Sequence, residues 1–297
     1  MPDSAALAQF LLTGLTTGCA YALVALAIVL MFNVSGVVNL AQGEYGALGG
    51  LLLASLSAMH LPLALSLALV IAAGLLLGAA QERLTIRPIR SAPQFVLITV
   101  TLGVAVAIRG AAFLIWGKDP LNVPGFSGDD VFFLWGALLP IQTIWIWGGT
   151  AVLLALVFVG LGFTRIGRAI RACSLNSRAA RLMGINPQRM TVLVFAAGGA
   201  MSTLGGALIA PLTLASWDSG LTIGLKGLIA AIFGSFRSPG LAVAAGLAIG
   251  ALESCIAGLG SSEAKDVVLY LILLAALLVM GGVFARGRDR LHVGTSI

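Results

Sequence analysis

Residues 164–190, TRIGRAIRACSLNSRAARLMGINPQRM, decide how this chain is laid out. The stretch holds six arginines (Arg165, Arg168, Arg171, Arg178, Arg181, Arg189) and no acidic residue. Long apolar runs flank it on both sides. A short basic loop between two spanning segments lies on the cytoplasmic side of a membrane. The expected fold is therefore an all-α bundle that crosses the bilayer repeatedly, with this loop inside the cell.

Composition supports that reading. The 297 residues are 59% hydrophobic and only 9% charged, whereas a soluble domain carries about 25% charged residues. Mean hydropathy is +1.06. The net charge of +6 does not point to nucleic acid, because the basic residues sit in loops that flank apolar runs. The first apolar run follows MPDSAALAQ, without the basic start and cleavage site of a signal peptide, and reads as a permanent first helix. Cys19 and Cys255 fall inside apolar runs and Cys173 in the basic loop; no metal-ligand spacing or disulfide framework is visible. His60 sits at a turn and His292 in the tail. No metal, cofactor or catalytic site is expected. The phosphate-binding pattern GxxxxGK[ST] is absent, so ATP hydrolysis would belong to another subunit.

A spanning helix needs about 20 apolar residues. Candidates are Ala8–Met31, Glu44–Ala58, Leu61–Ala80, Phe95–Trp116, Leu139–Phe163, Thr191–Ala215, Ile223–Phe236, Pro239–Leu259 and Val267–Phe284, so that about 8–10 helices span or half-span a single domain of residues 1–297. Arg83, Arg87 and Arg90 share one loop, Arg237 sits in a Ser-Pro-Gly turn, and Arg286, Arg288 and Arg290 lie in the tail. With the main loop, these place most of the 17 Lys and Arg on one side. The opposite loops hold Asp119, Asp129, Asp130, Asp218, Glu263 and Asp266 against Lys118, Lys226 and Lys265. The pattern predicts an external N-terminus and a cytoplasmic C-terminal tail over 286–297.

Glycines recur at four-residue spacing: Gly14/Gly18, Gly46/Gly50, Gly74/Gly78 and Gly246/Gly250. That spacing lets helix backbones approach closely. Two breaks interrupt the apolar runs. One is Asn33-Val-Ser-Gly-Val-Val-Asn-Leu-Ala-Gln-Gly-Glu-Tyr-Gly46. Irregular backbone at membrane depth persists only where protein buries it or water lines it, and such interruptions often mark a transport path. The other is Ser216-Trp-Asp-Ser-Gly220 before the short run Ile223–Phe236, which covers about 20 Å of a core roughly 30 Å thick.

Two charges stand inside apolar runs, Arg109 and Glu253. Intramembrane charges are functional candidates with a partner to be found. One expectation is that they approach each other or share a polar cavity. The other is that Arg109 snorkels to the outer interface while Glu253 faces a polar vestibule.

Within the basic loop, Ser174–Met183 is compatible with one short helix. Leu175, Ala179, Leu182 and Met183 form an apolar stripe. Gly184 closes the helix in the left-handed conformation, and Pro187 prevents its resumption. So short a helix needs a surface to pack on: lipid headgroups, or the groove of a cytoplasmic partner.

The segment GRAIRACSLNSRAARLMGINPQRM resembles the cytoplasmic coupling loop of permease subunits of branched-chain amino acid ABC importers. VVNLAQGEYGALGG is similar to that family's Asn-Phe-Ala-His-Gly-Glu element, and GLKGLIAAIFGSFRSPGLAVAAGLAIGALES with AKDVVLYLILLAALLVMGGVFAR resembles its closing helices. The likeness runs from Phe10 to Arg286. Gln42 departs from the family's usual His, and Ser235-Phe-Arg-Ser-Pro-Gly240 is bulkier and more basic than its usual turn. The resemblance implies an inner-membrane permease subunit of a prokaryote, paired with a second homologous permease, two ATPase subunits and a periplasmic or lipid-anchored binding protein. It implies that Arg178, Ala179, Leu182, Met183, Gly184 and Ile185 contact the ATPase. Asn39, Gln42 and Glu44, with Arg109 and Glu253, are the candidates for the path or its gate. The same architecture carrying urea, short amides or another small solute is the nearest alternative; a stand-alone carrier or channel is a further one.

Overall fold

The computed structural model describes residues 4–259, except Asp129 and Arg237, together with 267, 268, 270–272 and 274. The run Val267–Phe284 lies largely outside the described residues, and the tail over 286–297 entirely so, as do Glu263, Lys265, Asp266 and His292. The helices are α1 (Ser4–Ser35), α2 (Gln42–Ala58), α3 (Leu63–Gln81), α4 (Gln94–Trp116), α5 (Gln142–Phe163), α6 (Arg165–Leu175), α7 (Ser177–Leu182), α8 (Pro187–Thr213), α9 (Ser219–Phe233) and α10 (Pro239–Leu259). A single π-helical turn, Glu82–Ile86, extends α3.

Among the described residues, six helices are long and apolar enough to cross a membrane: α1, α3 with its π turn, α4, α5, α8 and α10. At 17 and 15 residues, α2 and α9 cover about 26 and 22 Å at 1.5 Å per residue, short of a core roughly 30 Å thick. Both begin next to an irregular segment, as their polar flanks suggest.

α1 is the central post. It is sheathed by α8, α9 and α10, and from Cys19 to Met31 every side chain is buried. α3, α4 and α5 lie outside this centre and expose most of their length. Lipid tails are as apolar as leucine, so packing between helices depends on close approach rather than on burial from water. The α1–α10 crossing shows how the chain achieves it. A Cβ on Gly14 would strike the backbone of Gly250 and Ala251, and one on Gly250 the backbone of Gly14 and Gly18. Gly74 and Gly78 bring α3 onto α8 in the same way, as Gly49 does for α2, whereas Gly46 has room for a side chain.

The segment between α4 and α5 corrects one boundary. Leu139 does not open a span but belongs to a hairpin, β1 (Val131–Leu134) with β2 (Ala137–Pro140), and α5 starts only at Gln142. The two-residue turn Trp135-Gly136 has both φ angles positive, 51° and 81°, the handedness that matches strand twist. Gln9 of α1 grips the hairpin: its Nε2 donates to the Leu138 carbonyl at 2.9 Å and its Oε1 accepts the Leu138 N–H at 2.7 Å.

Candidate functional site

The arginine-rich loop is two helices rather than one. α6 starts at Thr164, whose Oγ1 accepts the Gly167 N–H at 2.9 Å. It folds back on the end of α5, where Arg171 donates to the Gly162 carbonyl at 3.0 Å. Cys173 of α6 is buried, and burial raises its thiol pKa, which leaves it a small apolar residue. The expected helix Ser174–Met183 breaks at Asn176. That residue is extended, at φ −156°, and its Oδ1 accepts the N–H groups of Arg178 and Ala179, both at 3.0 Å. Asparagine is a strong N-cap, and capping here satisfies orphan donors that a continuous helix would not leave.

α7 ends as its glycine predicts. Gly184 takes φ +82°. Its N–H donates to the Arg181 carbonyl and that of Ile185 to the Ala180 carbonyl, both at 3.0 Å, the paired bonds of a Schellman motif. Asn186 then caps α8, with Pro187 in its first turn. Only Ala180 of α7 turns inward. Leu175, Leu182 and Met183 are 87%, 89% and 82% exposed. The break at Asn176 divides the expected stripe: Leu182 and Met183 close the doubly capped α7, Leu175 closes α6, and all three stand exposed beside Arg178 and Arg181.

The first interrupted segment forms a closed polar network. Asn39 and Gln42 are both 0% exposed. Asn39 Nδ2 donates to Gln81 Oε1 at 2.7 Å and to Gln42 Oε1 at 3.1 Å; Gln81 Nε2 returns a bond to Asn39 Oδ1 at 2.8 Å. Tyr45 Oη donates to Gln81 Oε1 at 2.6 Å, and Gln42 Nε2 donates to the Gly198 carbonyl at 2.6 Å and to Ser202 Oγ at 2.9 Å. The network ties the start of α2 to α3 and α8. Non-helical backbone at this depth needs such internal partners.

Arg109 and Glu253 do not meet. Arg109 Nη2 pairs with Glu44 Oε1 at 3.1 Å. Glu253 Oε1 pairs with Lys226 Nζ at 2.6 Å, and its Oε2 accepts from Tyr21 Oη at 3.0 Å. A shared cavity between Arg109 and Glu253 is thus replaced by two separate clusters, each with a nearer partner on another helix. Lys226 is not one of the external loop charges but lies buried within α9. Its position in the apolar stretch GLKGLIAAIF was the available signal. Gln81 and Asp218 were likewise missed, because their roles depend on α3 and α9 lying beside α2.

Comparison with known proteins places the chain in a family. Residues 10–277 match the family model described as branched-chain amino acid transport system / permease component. The high-affinity branched-chain amino acid transport system permease protein LivH of Salmonella typhimurium is 28% identical over 92% of this chain and 93% of its own. BraD of Pseudomonas aeruginosa, named for the same kind of system, is 25% identical over 94% of this chain and 95% of its own. The ribose import permease protein RbsC of Escherichia coli K12 is 28% identical over 87% and 81%. No solved structure matches. The long apolar helices, the interrupted α1–α2 junction and the capped basic loop thus sit in a chain that belongs to the family of permease components of branched-chain amino acid transport systems.

Proposed function

We propose that this chain is the membrane-spanning subunit of an ATP-driven importer for branched-chain or related amino acids, and that α6 and α7 couple it to an ATPase. The observation that carries the coupling is the outward exposure of Leu175 on α6 and of Leu182 and Met183 on α7. Burying one such side chain is worth about 1.5–3 kcal/mol, and three exposed on the adjoining ends of α6 and α7 imply an occupant. A groove on an ATPase subunit fits better than lipid: Arg178 and Arg181 flank these side chains instead of forming a separate polar face. In this reading Arg178, Ala179, Leu182, Met183, Gly184 and Ile185 are the contact, the basic end is cytoplasmic by its arginines, and the N-terminus is external.

The partners are a second homologous permease, two ATPase subunits and an extracytoplasmic binding protein. Glu44 and Arg109 line the path. Asn39 and Gln42, sealed in their network, hold the α1–α2 break as its gate. The Lys226–Glu253 pair, fully enclosed, braces α9 and α10 against α1. The ribose permease likeness supports the alternative in which the same scaffold carries another small solute. Co-purification with ATPase subunits, followed by ATP hydrolysis assayed with and without binding protein, tests the reading: stimulated hydrolysis in the assembled complex is expected, and transport by the chain purified alone would contradict it.

A further inference from the structure

Two ion pairs join different helices among the described residues, and they differ in access. Lys226–Glu253 is sealed, at 3% and 10% side-chain exposure; in Glu44–Arg109 the arginine is 27% exposed. A guanidinium flank open at this depth cannot face hydrocarbon without a large cost, so this side of α2, α4 and α9 faces water or a second permease. The Arg109 Nε donor has no partner among the described residues, and the bond from Nη2 to the Asp218 carbonyl is long, at 3.4 Å. The Nε is buried, but guanidinium has five donors in a planar fork suited to a carboxylate, so the exposed flank of Arg109 retains capacity for one.

The acidic side is also built. Glu44 stands in the first turn of α2 and against the start of α9. A Cβ on Gly220 would overlap its carboxylate, so the glycine keeps that space open. Asp218 adds an exposed carboxylate beside it, accepting from the Ser216 hydroxyl. One turn along α4, Phe113 makes an edge contact with Trp217, ring centroids 5.1 Å apart, and Phe113 stays exposed. Opposite charges and an apolar aromatic shelf lie side by side.

We propose that Glu44 and Arg109 are the recognition station of the path for a zwitterionic amino acid: Arg109 takes its carboxylate, Glu44 its ammonium, and Phe113 with Trp217 its apolar side chain. The proposal rests on the importer reading above. A sugar has no use for this pair of charges.

The test uses the complete complex, reconstituted with its ATPase subunits and binding protein. Uptake of labelled L-leucine and binding-protein-stimulated ATP hydrolysis are measured for the natural chain, Arg109→Gln, Glu44→Gln and the exchanged double variant Glu44→Arg/Arg109→Glu. Each single variant is expected to lose about tenfold or more in uptake while the ATPase subunits still co-purify with the permease, because a charge-assisted contact to the solute is removed and the coupling element is untouched. The exchanged variant recovers the melting temperature but not uptake. Full leucine uptake by Arg109→Gln, or recovered uptake in the exchanged variant, would make the pair a mere brace and overturn the proposal. Uptake of D-ribose in place of L-leucine by the natural complex would overturn it too. If the single variants fail to assemble, the exchanged variant decides. Absence of any stimulated hydrolysis in the natural complex would instead overturn the importer reading itself.

Discussion

Lys226 illustrates how a single residue is legible only through its neighbours. In the chain it reads as one more loop charge. Once α9 packs against α1 and α10, it lies 2.6 Å from Glu253, with its Nζ 5.5 Å from the centre of the Tyr21 ring. Removing one partner of a buried pair leaves an uncompensated charge, at a cost of about 3–5 kcal/mol, whereas replacing both with apolar residues is often neutral. Lys226→Met is therefore expected to lower the melting temperature of the detergent-solubilised protein sharply, and Lys226→Met/Glu253→Leu to restore most of it. Equal losses in the single and double variants would show that the pair is not a clasp. Asn39 follows the same logic in neutral form. Its buried amide makes three side-chain bonds with Gln42 and Gln81, and Asn39→Leu is expected to leave Gln81 unsatisfied at about 1–3 kcal/mol, read as a drop in melting temperature.

Helices were readable where one local rule dominates. The apolar run and its flanking Pro or Gly placed α3, α4, α8 and α10 to within a few residues. Gly184 marked the end of α7 because only a left-handed residue closes it cheaply. The break at Asn176 was equally available, since asparagine before Ser-Arg-Ala-Ala is a capping signature, but the apolar stripe spanned it and masked it. The hairpin β1–β2 was hidden for a different reason: its residues are as apolar as a span, and only the Trp135-Gly136 turn separates them from α5. Asn176→Ala is expected to weaken α7 by about 1 kcal/mol through loss of its cap. Because α7 lies outside the bundle, the expected signature is reduced ATPase stimulation with an unchanged melting temperature. A parallel fall in both would place α7 in the structural core. At the α1–α10 crossing, Gly250→Leu forces a side chain into the backbone of Gly14 and Gly18 and is expected to abolish stable insertion, measured as loss of folded protein in the membrane fraction.

Taken whole, the molecule separates its tasks by position. A rigid centre of α1, α8, α9 and α10 carries the close packing, the short helices α2 and α9 start beside the partly open Glu44–Arg109 pair, and α7 projects from the basic end beyond α6. Pattern alone was sufficient for the membrane class and for the Gly184 end of α7, but not for the division of the basic loop into α6 and α7. The pairing of charges was not, because it depends on which helices become neighbours across more than a hundred residues of chain. The central claim is that the projecting element is where ATP hydrolysis enters. The most direct measurement is association of the ATPase subunits with membranes carrying Arg178→Glu/Leu182→Asp, compared with the natural chain at equal permease level. Loss of ATPase association with the permease still inserted is predicted; undiminished association would contradict the account.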